Sequence, residues 1–68
     1  MKTIEIDYLF NTDGLGQTAT IYELTEGKRY SVVCRVANFE ENGREVHVKT
    51  LRTDSIERAR EYASAWTA

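Results

Sequence analysis

The sequence is short of the residue types that small proteins use to reinforce their folds. It has one cysteine and one histidine in 68 residues, so an internal disulfide is impossible and a structural zinc site, which needs about four ligands, is excluded. It has no proline and no low-complexity tract, which argues against a disordered tail. We therefore expect a chain that binds no metal and no cofactor and depends on its hydrophobic core.

Long apolar runs are also missing. Nothing approaches the roughly 20 apolar residues of a membrane span. Near the start, Glu5 and Asp7 interrupt the apolar positions, whereas a signal peptide needs an unbroken apolar stretch. These absences predict a cytoplasmic protein.

Basic charge is not in surplus. Nine Lys and Arg stand against eleven Asp and Glu, a net charge of −2. Dedicated nucleic-acid binders usually carry excess positive charge, because the neutralisation of phosphates drives their affinity. This balance argues against a nucleic-acid-binding function without excluding it, since positive charge can be segregated on one face.

What the sequence does have is alternation. Four segments alternate apolar and polar residues and predict strands: KTIEIDYLF, TATIYEL, RYSVVCRVA and REVHVKTL. Turn segments separate them: NTDGLGQ, TEGK around Gly27, and NFEENG with its Asn42-Gly43 dipeptide. Such short connections force neighbouring strands to be antiparallel.

The alternation assigns side chains to faces. In the first strand Ile4, Ile6, Tyr8 and Phe10 share one face, and Glu5, Asp7 and Leu9 share the other, which we expect to be open. In the third strand Tyr30, Val32, Cys34 and Val36 share the covered face. In the fourth strand we expect Val46 and Val48 to point inward and Glu45, His47 and Lys49 to point outward.

The period becomes helical in TDSIERAREYASAW. Ile56, Ala59, Ala63 and Trp66 form one apolar stripe, and Asp54, with Thr53 as a competitor, is the expected N-cap. The sequence thus predicts one α+β domain over residues 1–68, a four-stranded antiparallel β-meander with one C-terminal α-helix packed on one face. One helix covers only one face of such a sheet, so the other must meet water or a partner.

No catalytic constellation stands out. His47 and Cys34 are predicted on opposite faces, which argues against a Cys–His pair. The glycine-rich stretch DGLG precedes a strand, whereas a phosphate-binding loop precedes a helix. We expect a protein that is not an enzyme.

Acidic and aromatic groups supply the candidate contacts. Carboxylates in or beside loops either form a solvated rim or engage a basic partner, and exposed aromatic residues with a charged rim are typical of protein interfaces. Other apolar candidates for the open face are Leu9, Leu24, Val33 and Leu51. The predicted partner-binding residues are Glu5, Asp7, Asp13, Tyr22, Glu26, Glu40 and Glu41.

Residues 30–66 resemble the arm-type DNA-binding domain of phage tyrosine integrases. The matching pieces are Gly43-Arg44, Thr53 and the helix segment from Ala59 to Trp66. The resemblance implies that the open sheet face enters the major groove and that Arg35, His47 and Lys49 contact DNA. The acidic first strand and the net negative charge depart from that family.

The length of the chain, its acidic rim and its layout of a sheet plus one helix are similar to those of small phage anti-CRISPR proteins. These proteins are stand-alone inhibitors that bind CRISPR effector complexes. That resemblance implies a phage or mobile-element protein in the host bacterial cytoplasm. The implied partner is a protein, specifically a CRISPR effector complex, whose nucleic-acid-binding surface it occludes. A structural homodimer through the open face is a third hypothesis.

Overall fold

The computed structural model describes residues 1–10, 14–38 and 44–68, and within these ranges it contains four strands and one helix. They are β1 (Lys2–Phe10), β2 (Leu15–Glu23), β3 (Tyr30–Asn38), β4 (Arg44–Thr53) and α1 (Ile56–Trp66). The strands form one antiparallel sheet in the order β1-β2-β3-β4. The predicted α+β meander with a C-terminal helix is confirmed.

The helix lies over β2, β3 and β4 and defines the covered face of the sheet. Its predicted stripe is confirmed, because Ala59 and Ala63 are buried and Ile56 and Trp66 pack against the core. The small alanines let the helix approach the strands closely. The buried core cluster consists of Ala19, Ile21, Tyr30, Val32, Cys34, Ala59 and Ala63.

The turn between β2 and β3 follows from one glycine. Gly27 has a φ of 72°, a left-handed conformation that side chains with a Cβ rarely adopt. The Leu24 N–H donates to the Arg29 carbonyl at 2.7 Å and closes the turn. The corresponding prediction for Asn42-Gly43 lies outside the described residues.

The helix begins one residue later than predicted. Ser55, not Asp54 or Thr53, is the N-cap, and its Oγ accepts from the Arg58 N–H at 3.2 Å. The Asp54 carboxylate accepts instead from the Arg29 N–H at 3.0 Å. Asp54 therefore connects the β2–β3 turn to the start of the helix, a long-range contact that a local capping pattern does not reveal.

A bulge in β1 overturns the predicted faces of that strand. The register shifts between Thr3 and Glu5, and Ile4 packs against the core. Beyond the shift Glu5 pairs with Ile21 and lies on the covered face, as Asp7 does. The prediction that Glu5 and Asp7 lie on the open face is wrong.

A second bulge in β4 has the same effect. Cys34 pairs with Lys49 but Arg35 pairs with His47, so Val48 is an extra residue, and it is 49% exposed. Lys49 lies on the covered face, with its Nζ 5.4 Å from the centre of the Trp66 ring. The predicted inward Val48 and outward Lys49 are therefore wrong.

Two of the apolar residues proposed for the open face lie on the covered face instead. Leu51 packs against the core cluster, and Leu9 pairs with Gln17, whose side chain reaches the helix. Val46, predicted to be inward, is exposed.

Candidate functional site

Cross-strand pairing arranges the open face, the side of the sheet opposite the helix, in four rows that run from β1 to β4. The rows are Phe10, Gly16, Ala37 and Glu45; Tyr8, Thr18, Arg35 and His47; Ile6, Thr20, Val33 and Thr50; and Thr3, Tyr22, Ser31 and Arg52. Side chains in neighbouring positions of a row lie close enough to interact. The open face thus places Arg35 between Thr18 and His47.

Three large apolar side chains of β1 stand exposed at one edge of this face. Ile6 is 47% exposed, Tyr8 58% and Phe10 66%. The Tyr8 and Phe10 rings are stacked, with centroids 6.1 Å apart and planes inclined by 5°. We call these three residues the β1 patch. It is a contiguous apolar surface with two rigid rings, which is the composition of a binding surface.

A groove of about 230 Å³ lies beside the β1 patch. Ile6 and Tyr8 line one side of it, and Arg35 and Glu45 line the other. The groove is also lined by Thr3, Thr18, Thr20 and Tyr22. It therefore combines apolar walls with hydroxyl groups, one guanidinium and one carboxylate.

The hydroxyl groups in the groove differ in how they are satisfied. Arg35 Nη1 donates to Thr20 Oγ1 at 3.5 Å, the outer limit of a hydrogen bond. The Thr18 hydroxyl is buried and has no hydrogen-bond partner in the part of the chain that the structure describes. A buried hydroxyl without a partner is destabilising, so its presence here calls for an explanation beyond folding.

The lone cysteine and the lone histidine lie on opposite faces. Cys34 is fully buried on the covered face, as predicted, and burial raises the pKa of its thiol while nearby Lys49 opposes the shift. His47 lies on the open face, where its Nε2 and Thr50 Oγ1 share a hydrogen bond of 2.8 Å. The two residues therefore do not form a nucleophile–base pair. Within the described ranges, no group of three or more His, Cys, Asp or Glu could hold a metal.

Those of the predicted acidic contacts that the structure describes do not converge on one surface. Glu5 bonds to the helix, where Arg60 Nη2 lies 2.7 Å from its Oε1, and this hydrogen bond raises the pKa of the Arg60 guanidinium. Asp7 is beside it in the register, and Glu26 is exposed in the β2–β3 turn. Asp13, Glu40 and Glu41 lie outside the described residues. Of the predicted partner-binding set, Tyr22 is on the open face.

The predicted DNA contacts are divided between the two faces. Arg35 and His47 are neighbours in one row of the open face, as predicted. Lys49 is on the covered face over Trp66 and does not join them. The open face retains a second arginine, Arg52, which pairs with Ser31.

The sequence interpretation missed the β1 patch and the two threonines, Thr18 and Thr20, that line the groove beside it. Thr18 and Thr20 flank buried Ala19, and this Thr-Ala-Thr alternation is a signal for a strand whose open side carries hydroxyls. Ile6, Tyr8 and Phe10 carried no comparable signal, since their apolar character favoured the covered face.

The described helix is too short and too polar to cross a membrane. Comparison of the chain with family models, with curated proteins and with solved structures found no match.

Proposed function

We propose that this chain is a non-enzymatic protein-binding module that docks on its partner through the open face. The observation that carries the proposal is the β1 patch, with its stacked and exposed Tyr8 and Phe10. Aromatic anchors surrounded by polar groups supply most of the binding energy in protein interfaces.

The size of the open face is compatible with this role. Strands of about nine residues and four strands side by side give a flat projection of about 30 Å by 19 Å, or about 570 Å². A standard interface buries about 800 Å² of accessible surface on each partner, and side-chain relief makes accessible surface larger than its projection. One open face therefore supports a small interface.

The specific hypothesis is an inhibitor of the anti-CRISPR type. The module would bind a CRISPR effector complex and cover a nucleic-acid-binding surface, so that inhibition results from occlusion. The net charge of −2 favours association with a basic target. In this mechanism the β1 patch provides contact energy, and carboxylates elsewhere on the surface, such as Asp7 and Glu26, add to the negative field that steers the approach.

The test is DNA binding by purified, guide-loaded effector complexes of several types, measured by gel shift with the added chain. The variant Tyr8→Ala/Phe10→Ala removes both rings. The matched control is Arg58→Ala/Glu61→Ala, which removes an exposed pair 3.9 Å apart on the helix and leaves the net charge unchanged.

We expect the chain and the control to block DNA binding and the ring variant to be at least about 30-fold weaker, since interface anchors contribute 2 kcal/mol or more. If no complex is inhibited, the anti-CRISPR assignment is wrong. If the ring variant inhibits as well as the control, the open face is not the interface.

A second candidate, a DNA-binding module, is favoured by the adjacent Arg35 and His47. It predicts micromolar binding to random duplex DNA that weakens steeply with salt. Absence of binding at low salt would eliminate it. A doubled molecular mass in solution would instead indicate the homodimer.

A further inference from the structure

Arg35 holds a guanidinium near the middle of the open face with most of its donors unengaged. A guanidinium has five N–H donors, and Arg35 uses one of them in a 3.5 Å contact with Thr20. No carboxylate oxygen in residues 1–10, 14–38 or 44–68 lies within 4.0 Å of it. Arg58 and Arg60, by contrast, each have a carboxylate partner on the molecule's other side.

The Thr18 hydroxyl beside this cation makes no hydrogen bond within the described residues. Thr18 is the cross-strand partner of Arg35, lines the same groove and is 6% exposed. Its hydroxyl has no partner among the described residues. The buried hydroxyl without a partner is destabilising in the free protein, and this hydroxyl and the neighbouring guanidinium both suit an anion that accepts from them together.

From these observations we propose that the groove around Arg35 is a subsite for one carboxylate, supplied by an Asp or Glu side chain of the partner protein. This inference rests on the proposed function and specifies the chemistry of its partner. The carboxylate accepts hydrogen bonds from Arg35 and from the Thr18 and Thr20 hydroxyls. Apolar residues beside that Asp or Glu in the partner pack on the β1 patch.

The subsite is held in place from the other side of the sheet. Trp66 Nε1 donates to the Arg35 carbonyl at 3.3 Å, at the position where β4 bulges. Gln17 Nε2 in turn donates to the Trp66 carbonyl at 3.2 Å. The backbone of Arg35 is thus fixed by the helix before any partner binds, which lowers the entropic cost of binding.

The surroundings favour a single carboxylate over the phosphates of a nucleic acid. Glu45 lines the same groove, and it repels a strand of successive phosphates more than it repels one carboxylate. Nucleic-acid affinity requires several cations in contact with successive phosphates. Arg35 and Arg52 are the only Lys or Arg in the described rows of the open face.

The experiment is an NMR titration of the labelled protein with sodium acetate, with sodium chloride at equal ionic strength as reference. Chemical shifts of the arginine Nε–Hε groups and of the Thr18 and Thr20 amides report binding. We expect saturable shifts for Arg35 and its threonine neighbours and a merely linear response for Arg52.

Variants separate the subsite from general charge. Arg35→Lys should weaken acetate binding at least about fivefold, because the fork geometry is lost. Thr18→Val should weaken it about threefold or more while the variant folds at least as stably as the parent, because it removes an unsatisfied hydroxyl. The matched control Arg52→Lys should leave binding unchanged.

A linear response of Arg35, or equal losses in Arg35→Lys and Arg52→Lys, would overturn the proposal. Saturation of Arg35 by inorganic phosphate or a ten-residue oligothymidylate at lower concentrations than acetate would reassign the subsite to nucleic acid. The titration uses no CRISPR complex, so it gives a result even where the inhibition test fails. Conversely, inhibition that is independent of Arg35 would leave the proposed function intact.

Discussion

The two faces of the sheet use similar strands for opposite purposes. On the covered face Ala19, Ile21, Val32 and Cys34 are fully buried against the helix. Two polar contacts stabilise that face, namely the Glu5–Arg60 bridge and the indole N–H bond to the Arg35 carbonyl. On the open face large apolar rings are exposed while a threonine hydroxyl is buried without a partner in the described chain.

This contrast assigns stability to the covered face and binding to the open face. A face that only had to be solvated would carry charges and short polar residues, and a face that only had to be stable would not bury an orphan hydroxyl. The covered face has the features that folding requires. The open face has features that a second molecule would satisfy, and this contrast underlies both proposals.

The strongest test of the contrast compares two isoleucines on adjacent strands. Ile21→Ala should lower the free energy of unfolding by about 3 to 4 kcal/mol, because it leaves a cavity in the core. Ile6→Ala should lower it by less than about 1 kcal/mol, because Ile6 is on the open face. Urea denaturation measures both. Should Ile21→Ala fail to fold, Ile21→Val, expected to cost about 1 kcal/mol, replaces it. Similar losses for Ile6 and Ile21 would abolish the distinction.

A smaller effect is expected at Trp66, which joins the two faces. Trp66→Ala should cost about 2 to 4 kcal/mol, since it removes ring packing and the bond to the Arg35 carbonyl, although the ring is only half-buried. Trp66→Phe keeps most of the packing, so it isolates the lost hydrogen bond, with an expected cost near 1 kcal/mol. A loss below about 1 kcal/mol for Trp66→Ala, by urea unfolding, would mean that the helix end does not support the sheet.

The smallest effect concerns the pH dependence of the covered face. Burial raises the pKa of the Cys34 thiol, so the folded state favours the protonated form. That stability is fully present below the usual thiol pKa of about 8.5 and is lost as pH rises through the higher folded value. Urea unfolding from about pH 7 to about pH 10 should therefore show the wild type losing stability relative to Cys34→Ala. Parallel curves for the two proteins would indicate that the thiol is not shielded from water.

Much of the fold was predictable because local patterns repeat along the chain. The alternation in β3 correctly placed Cys34 inward and Arg35 outward, since both faces of a central strand have fixed neighbours. In the edge strands the predicted faces are wrong beyond Ile4 and Val48, because each bulge adds one residue and exchanges the faces that follow it. The candidate site depended on those strands, so Glu5, Asp7 and Lys49 were placed on the wrong face.

By itself, the sequence determined the number, order and direction of the strands and the apolar stripe of the helix. These follow from periodicity and short connections, which act over a few residues. Only the tertiary structure decided that the helix covers β2 to β4 and leaves β1 at the edge, so that Glu5 bonds to Arg60 while Tyr8 and Phe10 are exposed. An edge strand beyond the helix has no fully buried face, and its side is set by contacts between residues that are distant in the chain.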